Sequence, residues 1–265
     1  MDSFENLEIE YCNNYAIIRF INTEKLNPLN VKTAQELDSA LDILEKNSQI
    51  RAVIITGSGR AFSAGGDIKA MLKAIEDGTP DKYIDDLTKP IYYLTLKLRK
   101  FPKPLIAAVN GYAIGAGMNL ALSCDLIIAS EKAKFSEGFC KLGLIPGASG
   151  THLLINQIPW AKAAEFCFFG DIISPDELLK LGLINKIVKD EDLEAESRKI
   201  AERLASGPTL VYARTKQLFL SALSTSFEDH LEIERQMQIK SALTEDYKIG
   251  VRALNKKEKP KFIGK

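Results

Sequence analysis

The chain has 265 residues, 46% of them hydrophobic and 26% charged, as in an ordinary globular protein. Its 35 basic residues equal its 35 acidic residues, so no overall charge directs it to nucleic acid or to an anionic membrane. The four cysteines are scattered without a C-x-x-C pair, and the acidic start MDSFENLEIE has no apolar secretion signal. We therefore expect a soluble, cytoplasmic protein without a nucleic-acid or membrane partner.

Short apolar runs in the first half of the chain predict buried strands. They are rich in isoleucine and valine and do not alternate with polar residues, a pattern typical of strands that are covered on both faces. The runs are Ala16–Phe20, Ala52–Thr56, Leu105–Val109 and Leu126–Ala129.

Helical patterns lie between these runs. Apolar residues recur at three- and four-residue spacings in Val31–Glu45 and Tyr83–Arg99, and nearly continuous helix is expected from Leu193 onward. Strands joined to helices by glycine-containing turns are typical of the α/β class, with active residues on the connections. We predict an α/β core at residues 1–192 and a helical region at residues 193–265.

Two glycine-containing turns are the strongest candidates for a functional site. They are AFSAGGD at Ala61–Asp67 and NGYAIGAG at Asn110–Gly117. Small residues let a ligand approach the backbone and leave N–H groups free to donate. If a helix begins near Gly117, its first N–H groups point outward. The two turns can then converge on one oxygen atom as an oxyanion hole, which stabilises negative charge on that oxygen.

The spacing of the glycine-containing segments argues against two other kinds of site. Neither has the spacing of a phosphate-binding loop, and the stretch Gly147–Gly150 misses the G-x-S-x-G turn of a serine hydrolase by one position. Two ordinary tight turns remain the alternative from the residues alone. No cluster of histidine, cysteine and carboxylate residues has metal-ligand spacing, so no metal or redox cofactor is expected.

Together these segments resemble the enoyl-CoA hydratase/isomerase (crotonase) superfamily. Its three signature segments are similar, in order and spacing, to AFSAGGDIKAM, KPLIAAVNGYAIGAGMNLALSCDLIIAS and AKFSEGFCKLGLIPGASGT. Within the superfamily, the third segment is most similar to the phenylacetate-pathway enoyl-CoA isomerases. The resemblance implies a spiral of ββα turns and a C-terminal helical region that packs into homotrimers, often paired into homohexamers.

The resemblance also implies roles for single residues. The N–H groups of Gly66 and Ala116 would hold the thioester oxygen of an acyl-CoA while the acyl group becomes an enolate. Coenzyme A is here part of the substrate rather than a separate cofactor. Both coenzyme A and the acyl pocket would lie beside Lys25, Ala64, Asp67 and Ile68. Apolar groups expected to line the pocket are Ile114, Met118, Phe139 and Trp160, and they favour a bulky or cyclic acyl group.

The chain departs from its best-known relatives at the catalytic carboxylates. Asn119 and Phe139 stand where the hydratases carry two glutamates, and Gly147 stands where the phenylacetate-pathway isomerases carry an aspartate. Asparagine orients water but exchanges no proton near neutral pH, and phenylalanine does neither. Glu137 is the nearest substitute on the third segment, and a surface or salt-bridged glutamate is the alternative. Asp67 and His152 are further candidates, with structural roles as the alternatives.

Three functions remain open at this point. The leading one is isomerisation or hydration of a bulky or cyclic enoyl-CoA. The second is an acyl-CoA decarboxylase or C–C hydrolase, because decarboxylation produces the enolate without a base. The third is a non-catalytic acyl-CoA-binding homologue, because the usual carboxylates are absent.

Overall fold

A computed structural model describes residues 4–265 and shows two β-sheets surrounded by helices. The strands are Leu7–Tyr11 (β1), Ala16–Phe20 (β2), Val53–Gly57 (β3), Ala61–Ser63 (β4), Leu105–Val109 (β5), Tyr112–Ile114 (β6), Leu126–Ser130 (β7), Lys134–Ser136 (β8) and Lys186–Val188 (β9). The α-helices are Val31–Lys46 (α1), Ile68–Glu76 (α2), Pro80–Lys100 (α3), Ala116–Leu122 (α4), Gly150–Ile155 (α5), Trp160–Phe169 (α6), Pro175–Lys180 (α7), Leu193–Ala205 (α8), Thr209–Ala222 (α9), Phe227–Ala242 (α10) and Glu245–Asn255 (α11). Short 3-10 helices cover Thr23–Lys25, Gly138–Leu142 and Asp190–Asp192.

The two sheets are built by a repeated ββα unit. The larger sheet has the order β1-β2-β3-β5-β7-β9, with β1 antiparallel to β2 and the other neighbours parallel. The smaller sheet has the parallel order β4-β6-β8. Three times, a strand of the larger sheet is followed by a short strand of the smaller sheet and then by a helix. This is the α/β spiral of ββα turns that the sequence predicted.

The inner strands of the larger sheet, β2, β3, β5 and β7, are largely buried on both faces, as their composition predicted. Ile18 and Phe20 belong to the main hydrophobic core, whereas Ile17 points to a second cluster on the opposite face. Helix α8 covers that second cluster with Ala201 and Ala205. Alternate residues of one strand therefore enter different cores, which explains why the runs do not alternate between apolar and polar residues.

The predicted elements are present, with small shifts at their ends. Strand β3 is displaced by one residue from the apolar run, and α3 begins three residues before the predicted start. Pro80 stands in the first turn of α3, where its fixed φ favours a helix and its missing N–H costs no hydrogen bond. The apolar runs did not reveal β4, β6 and β8, because each has only three residues.

The region after Leu193 is helical, as expected. Helix α8 packs on the larger sheet, and α9 is attached to the core by an ion pair of 2.8 Å between Lys216 Nζ and Asp125 Oδ2. Near the chain end, Asp246 accepts hydrogen bonds from the N–H groups of Ile263 and Gly264. Within residues 4–265, no helix has the length and apolar character to span a membrane. The division at residue 193 into a core and an oligomerisation region stays a prediction.

Candidate functional site

The two glycine-containing turns lie against each other. A Cβ atom added to Gly65 would stand 2.6 Å from the carbonyl oxygen of Ile114 and 3.6 Å from the backbone nitrogen of Ala116. Gly65 also has a φ of +82°, a conformation that residues with side chains rarely adopt. Only glycine therefore allows the turn between β4 and α2 to approach the turn between β6 and α4 this closely.

Two backbone donors in these turns are free. The N–H groups of Gly66 and Ala116 donate no hydrogen bond to any residue from 4 to 265. Ala116 is the first residue of α4, and its preceding residue, Gly115, has no side chain to cap the helix. The free N–H of Ala116 is therefore one of the unpaired donors at the positive end of a helix. Two such donors from adjacent turns are the groups that an oxyanion hole requires.

A buried carboxyl group, that of Glu137, is hydrogen-bonded to helix α4, which begins at the second donor. Asn119 stands three residues after Ala116 on α4, and its Nδ2 atom donates to Glu137 Oε2 at 3.2 Å and to the Gly147 carbonyl at 2.9 Å. Glu137 and Asn119 are both completely buried. The alternative of a surface or salt-bridged Glu137 is therefore wrong.

The buried pair is not fully satisfied by its neighbours. Among the described residues, neither Glu137 Oε1 nor Asn119 Oδ1 has a hydrogen-bond partner. A buried oxygen without a partner costs free energy. Each of the two side chains thus keeps one acceptor that no described residue satisfies.

Burial changes the protonation of Glu137. Desolvation raises the pKa of its carboxyl group from 4.5 to about 8, and the hydrogen bond from Asn119 opposes this only in part. The group is therefore largely neutral at pH 7, yet close enough to its pKa to give up a proton. A pKa near the working pH suits a general acid or base.

This shift predicts a pH-dependent stability. Since the folded protein holds the Glu137 proton more tightly than the unfolded chain, the stabilisation is complete below pH 4.5 and is lost as the pH rises toward 8. As the pH rises, the wild type should lose stability that the variant Glu137→Gln keeps. The unfolding free energy of the variant minus that of the wild type should therefore increase by roughly 1.4 kcal/mol per pH unit within that window. Urea unfolding at a series of pH values measures the difference, and parallel curves for the two proteins would contradict the shifted pKa.

The ring of Phe139 lies between Gly115 and Gly147, whose carbonyl accepts the hydrogen bond from Asn119. A Cβ atom added to Gly115 would lie 3.3 Å from the Cε2 atom of its ring, and one added to Gly147 would lie 3.4 Å from Cε1. The side chain is partly buried and packs against the main core. An apolar ring thus borders the site where the resemblance expects a second carboxylate.

The residues expected at coenzyme A lie together beside the first turn. Lys25 Nζ is 3.6 Å from Asp67 Oδ2, and the N–H of Ala64 donates to the Leu26 carbonyl at 2.9 Å. Asp67 also accepts hydrogen bonds from the first N–H groups of α2, so it caps that helix. Ile68 is exposed at the start of α2. Their role toward coenzyme A stays a prediction.

Some sequence expectations do not fit the structure. Met118 is completely buried in the main core, so it lines no open pocket, and Trp160 is 76% exposed at the start of α6. His152 borders a different cavity, together with Tyr92 and Phe219. Among the described residues, neither Trp160 nor His152 is hydrogen-bonded to Asn119 or Glu137. A catalytic role for His152 stays a prediction.

Sequence reasoning missed the hydrogen bonds that organise the buried pair. It treated Asn119 and Glu137 separately, because 18 residues lie between them along the chain. It also missed the Gly147 carbonyl as an acceptor. A signal was present in the apolar segment MNLALSC, since an asparagine inside a buried helix needs a polar partner.

Comparison with known proteins finds relatives that match over nearly the whole chain. The profile of the enoyl-CoA hydratase/isomerase family matches residues 10–265. The chain is 39% identical, over 91% of its length and 85% of the relative, to a Dictyostelium discoideum protein named "Probable enoyl-CoA hydratase, mitochondrial". It is 36% identical to the 1,2-epoxyphenylacetyl-CoA isomerase of Escherichia coli, over 91% and 92% of the two chains. The crystal structure of an enoyl-CoA hydratase from Polaromonas sp. JS666 superposes with a TM-score of 0.92, at 29% identity, over 97% and 99% of the two chains.

Proposed function

The chain belongs to the enoyl-CoA hydratase/isomerase family, and from that premise we propose that it forms and protonates the enolate of an acyl-CoA. In this proposal the N–H groups of Gly66 and Ala116 bind the thioester oxygen, and Glu137 carries the proton. Asn119 holds the Glu137 carboxyl in place through its 3.2 Å hydrogen bond. The reaction is an isomerisation or a hydration of an enoyl-CoA.

One observation supports the proposal above all others. A completely buried carboxyl, with one oxygen unpartnered among the described residues, lies next to Asn119 on the helix that also supplies a free N–H donor. Burial of such a group costs free energy, and the single hydrogen bond from Asn119 compensates only part of that cost. Its position makes sense if a substrate atom exchanges a proton with Glu137 while Ala116 holds the oxygen. This is the combination that enolate chemistry needs.

The acyl group that we propose is bulky or cyclic. The first turn of α2 and the loop before α5 carry exposed apolar side chains, among them Ile68, Leu72 and Ile145. Such groups bind an apolar acyl chain or ring better than a small polar one. The E. coli relative named as acting on 1,2-epoxyphenylacetyl-CoA is in keeping with a ring-containing substrate.

For coenzyme A itself we propose the surface around Lys25. Its ammonium group is exposed and makes a loose ion pair of 3.6 Å with Asp67, so it can turn toward a phosphate at little cost. The neighbouring Ala64 and Ile68 have small or apolar surfaces that fit the adenine and the start of the acyl pocket. No metal or redox cofactor takes part in this proposal.

We also propose that the helical region forms a homotrimer or a dimer of trimers. Helices α10 and α11 expose large apolar side chains, with Phe227, Leu243 and Leu254 each more than 70% exposed. Exposed apolar residues in this number favour an interface between subunits.

Isotope exchange tests the proposed chemistry. The purified protein is incubated in D₂O with straight-chain 2-enoyl-CoA and 3-enoyl-CoA, a cyclic dienoyl-CoA and a malonyl-type CoA, and mass spectrometry follows the products. We expect deuterium to enter the α or γ carbon of at least one enoyl-CoA. Loss of CO₂ without such exchange would favour a decarboxylase. Tight binding with no exchange and no product from any compound would instead indicate a non-catalytic acyl-CoA-binding homologue.

A further inference from the structure

We propose that the backbone N–H of Leu29 aims the first donor of the oxyanion hole. The inference rests on the proposed function, because it concerns the N–H of Gly66 that would hold the thioester oxygen. Leu29 acts on this donor through the peptide unit between Gly65 and Gly66. It is therefore a positioning residue rather than a catalytic one.

The two donors differ in what holds them. Ala116 is the first residue of α4, and the carbonyl of Gly115 accepts a hydrogen bond of 3.1 Å from the N–H of Asn119. This is an ordinary hydrogen bond of the helix, so α4 itself fixes the direction of the Ala116 N–H. Gly66 lies outside a helix, because α2 begins only after its N-cap residue, Asp67. Its N–H is held in one direction only if another part of the chain fixes its peptide unit.

The backbone of Leu29 fixes that peptide unit. Its N–H donates to the carbonyl oxygen of Gly65 at 2.8 Å. The peptide bond between Gly65 and Gly66 is trans, and a trans peptide unit is planar, with its C=O and N–H pointing in opposite directions. A carbonyl of Gly65 held toward Leu29 therefore leaves the Gly66 N–H pointing away from Leu29. The same hydrogen bond polarises the peptide unit and so strengthens the Gly66 N–H as a donor.

The chain around Leu29 is attached to the strand that precedes this turn. We call residues 26–29 the positioning segment. Within it, the buried side chain of Asn27 donates from Nδ2 to the carbonyls of Ser58 and Ala61, at 3.0 and 2.7 Å. Ala61 is the first residue of β4, from which the turn with Gly66 continues. The positioning segment is thus fixed to the same strand as the donor that it aims.

The backbone of the positioning segment is strained. Leu26 and Asn27 have φ values of +60° and +54°, in the left-handed region that residues with side chains rarely adopt. The carbonyl of Leu26 also accepts the hydrogen bond of 2.9 Å from the N–H of Ala64. Strain of this kind persists only where the surrounding structure enforces it, and it collects at functional sites. Presentation of the Leu29 N–H to the turn gives the strained segment a function.

A backbone ester at position 29 tests the inference. Leucic acid in place of Leu29 keeps the side chain and removes the N–H. The matched control is leucic acid in place of Leu183, a buried leucine between α7 and β9 whose N–H donates to the Leu178 carbonyl at 2.9 Å. Each ester removes one backbone hydrogen bond of nearly equal length beside a buried leucine side chain. Their costs in thermal stability should therefore be similar.

Two quantities are measured in each ester. The first is the rate of deuterium entry into the best acyl-CoA of the exchange panel. The second is the infrared stretching frequency of the ¹³C-labelled thioester carbonyl in a bound saturated acyl-CoA, which falls when hydrogen bonds are donated to its oxygen. In the Leu29 ester we expect the rate to fall about tenfold or more and the frequency to rise toward that of the free thioester. The Leu183 ester should keep the wild-type frequency and a rate within about threefold of the wild type.

The variant Asn27→Gly keeps the inference testable if the Leu29 ester does not fold. Glycine accepts the positive φ at position 27 but has no amide to donate to the carbonyls of Ser58 and Ala61. The positioning segment is then held less firmly. We expect the carbonyl frequency to rise and the exchange rate to fall by about threefold to tenfold.

The outcomes separate this inference from the proposed function. Wild-type rate and frequency in the Leu29 ester, or equal changes in the two esters, would overturn the inference and leave the proposed function standing. If the Leu29 ester does not fold, unchanged values in Asn27→Gly would overturn it. A wild type that neither exchanges deuterium with any thioester nor lowers the carbonyl frequency on binding would remove the proposed function, and this inference falls with it.

Discussion

Replacing Gly66 by proline is expected to lower kcat/KM for enolate formation by about 10²–10³-fold, or ~2.7–4 kcal/mol in the barrier. Proline has no N–H, so the thioester oxygen would lose one of its two proposed donors while the N–H of Ala116 remains. The measurement is the rate of deuterium entry into the best acyl-CoA of the exchange panel.

The chain offers a matched control for this variant. A Cβ atom at position 66 would stand 2.4 Å from the Cε atom of Met71. The Cβ atoms of proline and alanine would therefore make the same contact with Met71. Because that methyl group is the flexible end of a side chain, it can move aside. Gly66→Ala keeps the N–H and is expected to lose less than about tenfold. Equal losses in the two variants, at equal thermal stability, would show that crowding rather than the donor matters.

Replacing Glu137 by glutamine is expected to lower the exchange rate by about 10²–10⁴-fold, the usual contribution of a general acid or base. The amide oxygen of glutamine can still accept the hydrogen bond from Asn119, so the local packing is kept, but the proton carrier is gone. Affinity for a saturated acyl-CoA, measured by calorimetry, should change little. Exchange at the wild-type rate in Glu137→Gln would exclude this residue as the proton carrier.

A reciprocal exchange sharpens that test. The double variant Asn119→Glu with Glu137→Gln moves the carboxyl across the 3.2 Å hydrogen bond and keeps one amide and one carboxyl in the buried pair. We expect it to recover at least about tenfold of the rate lost in Glu137→Gln, because the carboxyl then lies on α4 within the same site. The single variant Asn119→Glu, with two buried carboxyls sharing one place, should instead be less stable than the wild type. Failure of the double variant to recover any exchange, while remaining folded, would indicate that the carboxyl acts only from position 137.

The local patterns of the chain were sufficient for much of the fold. The runs at Ala16–Phe20 and Leu105–Val109 are strands with the predicted ends. An apolar run that does not alternate with polar residues is typical of a strand whose sheet is covered on both faces. The glycines at 65 and 66 were also recognisable as a tight turn with a bare backbone, because the lack of a side chain is a property of the residues themselves. The three-residue strands were not recognisable, because three residues are too few to show a periodic pattern of apolar and polar residues.

The sequence by itself determined which groups the site contains: two bare backbone turns, no carboxylate at positions 119 and 139, and a glutamate at position 137. It did not decide whether Glu137 is buried, because a glutamate two residues before Phe139 is equally compatible with an exposed side chain. The tertiary structure decided this by bringing α4 against the turn after β8, where Asn119 reaches Glu137 and water is excluded. Desolvation depends on every atom around a group rather than on its neighbours along the chain, so only the folded structure turns an ordinary glutamate into a carboxyl with a pKa of about 8.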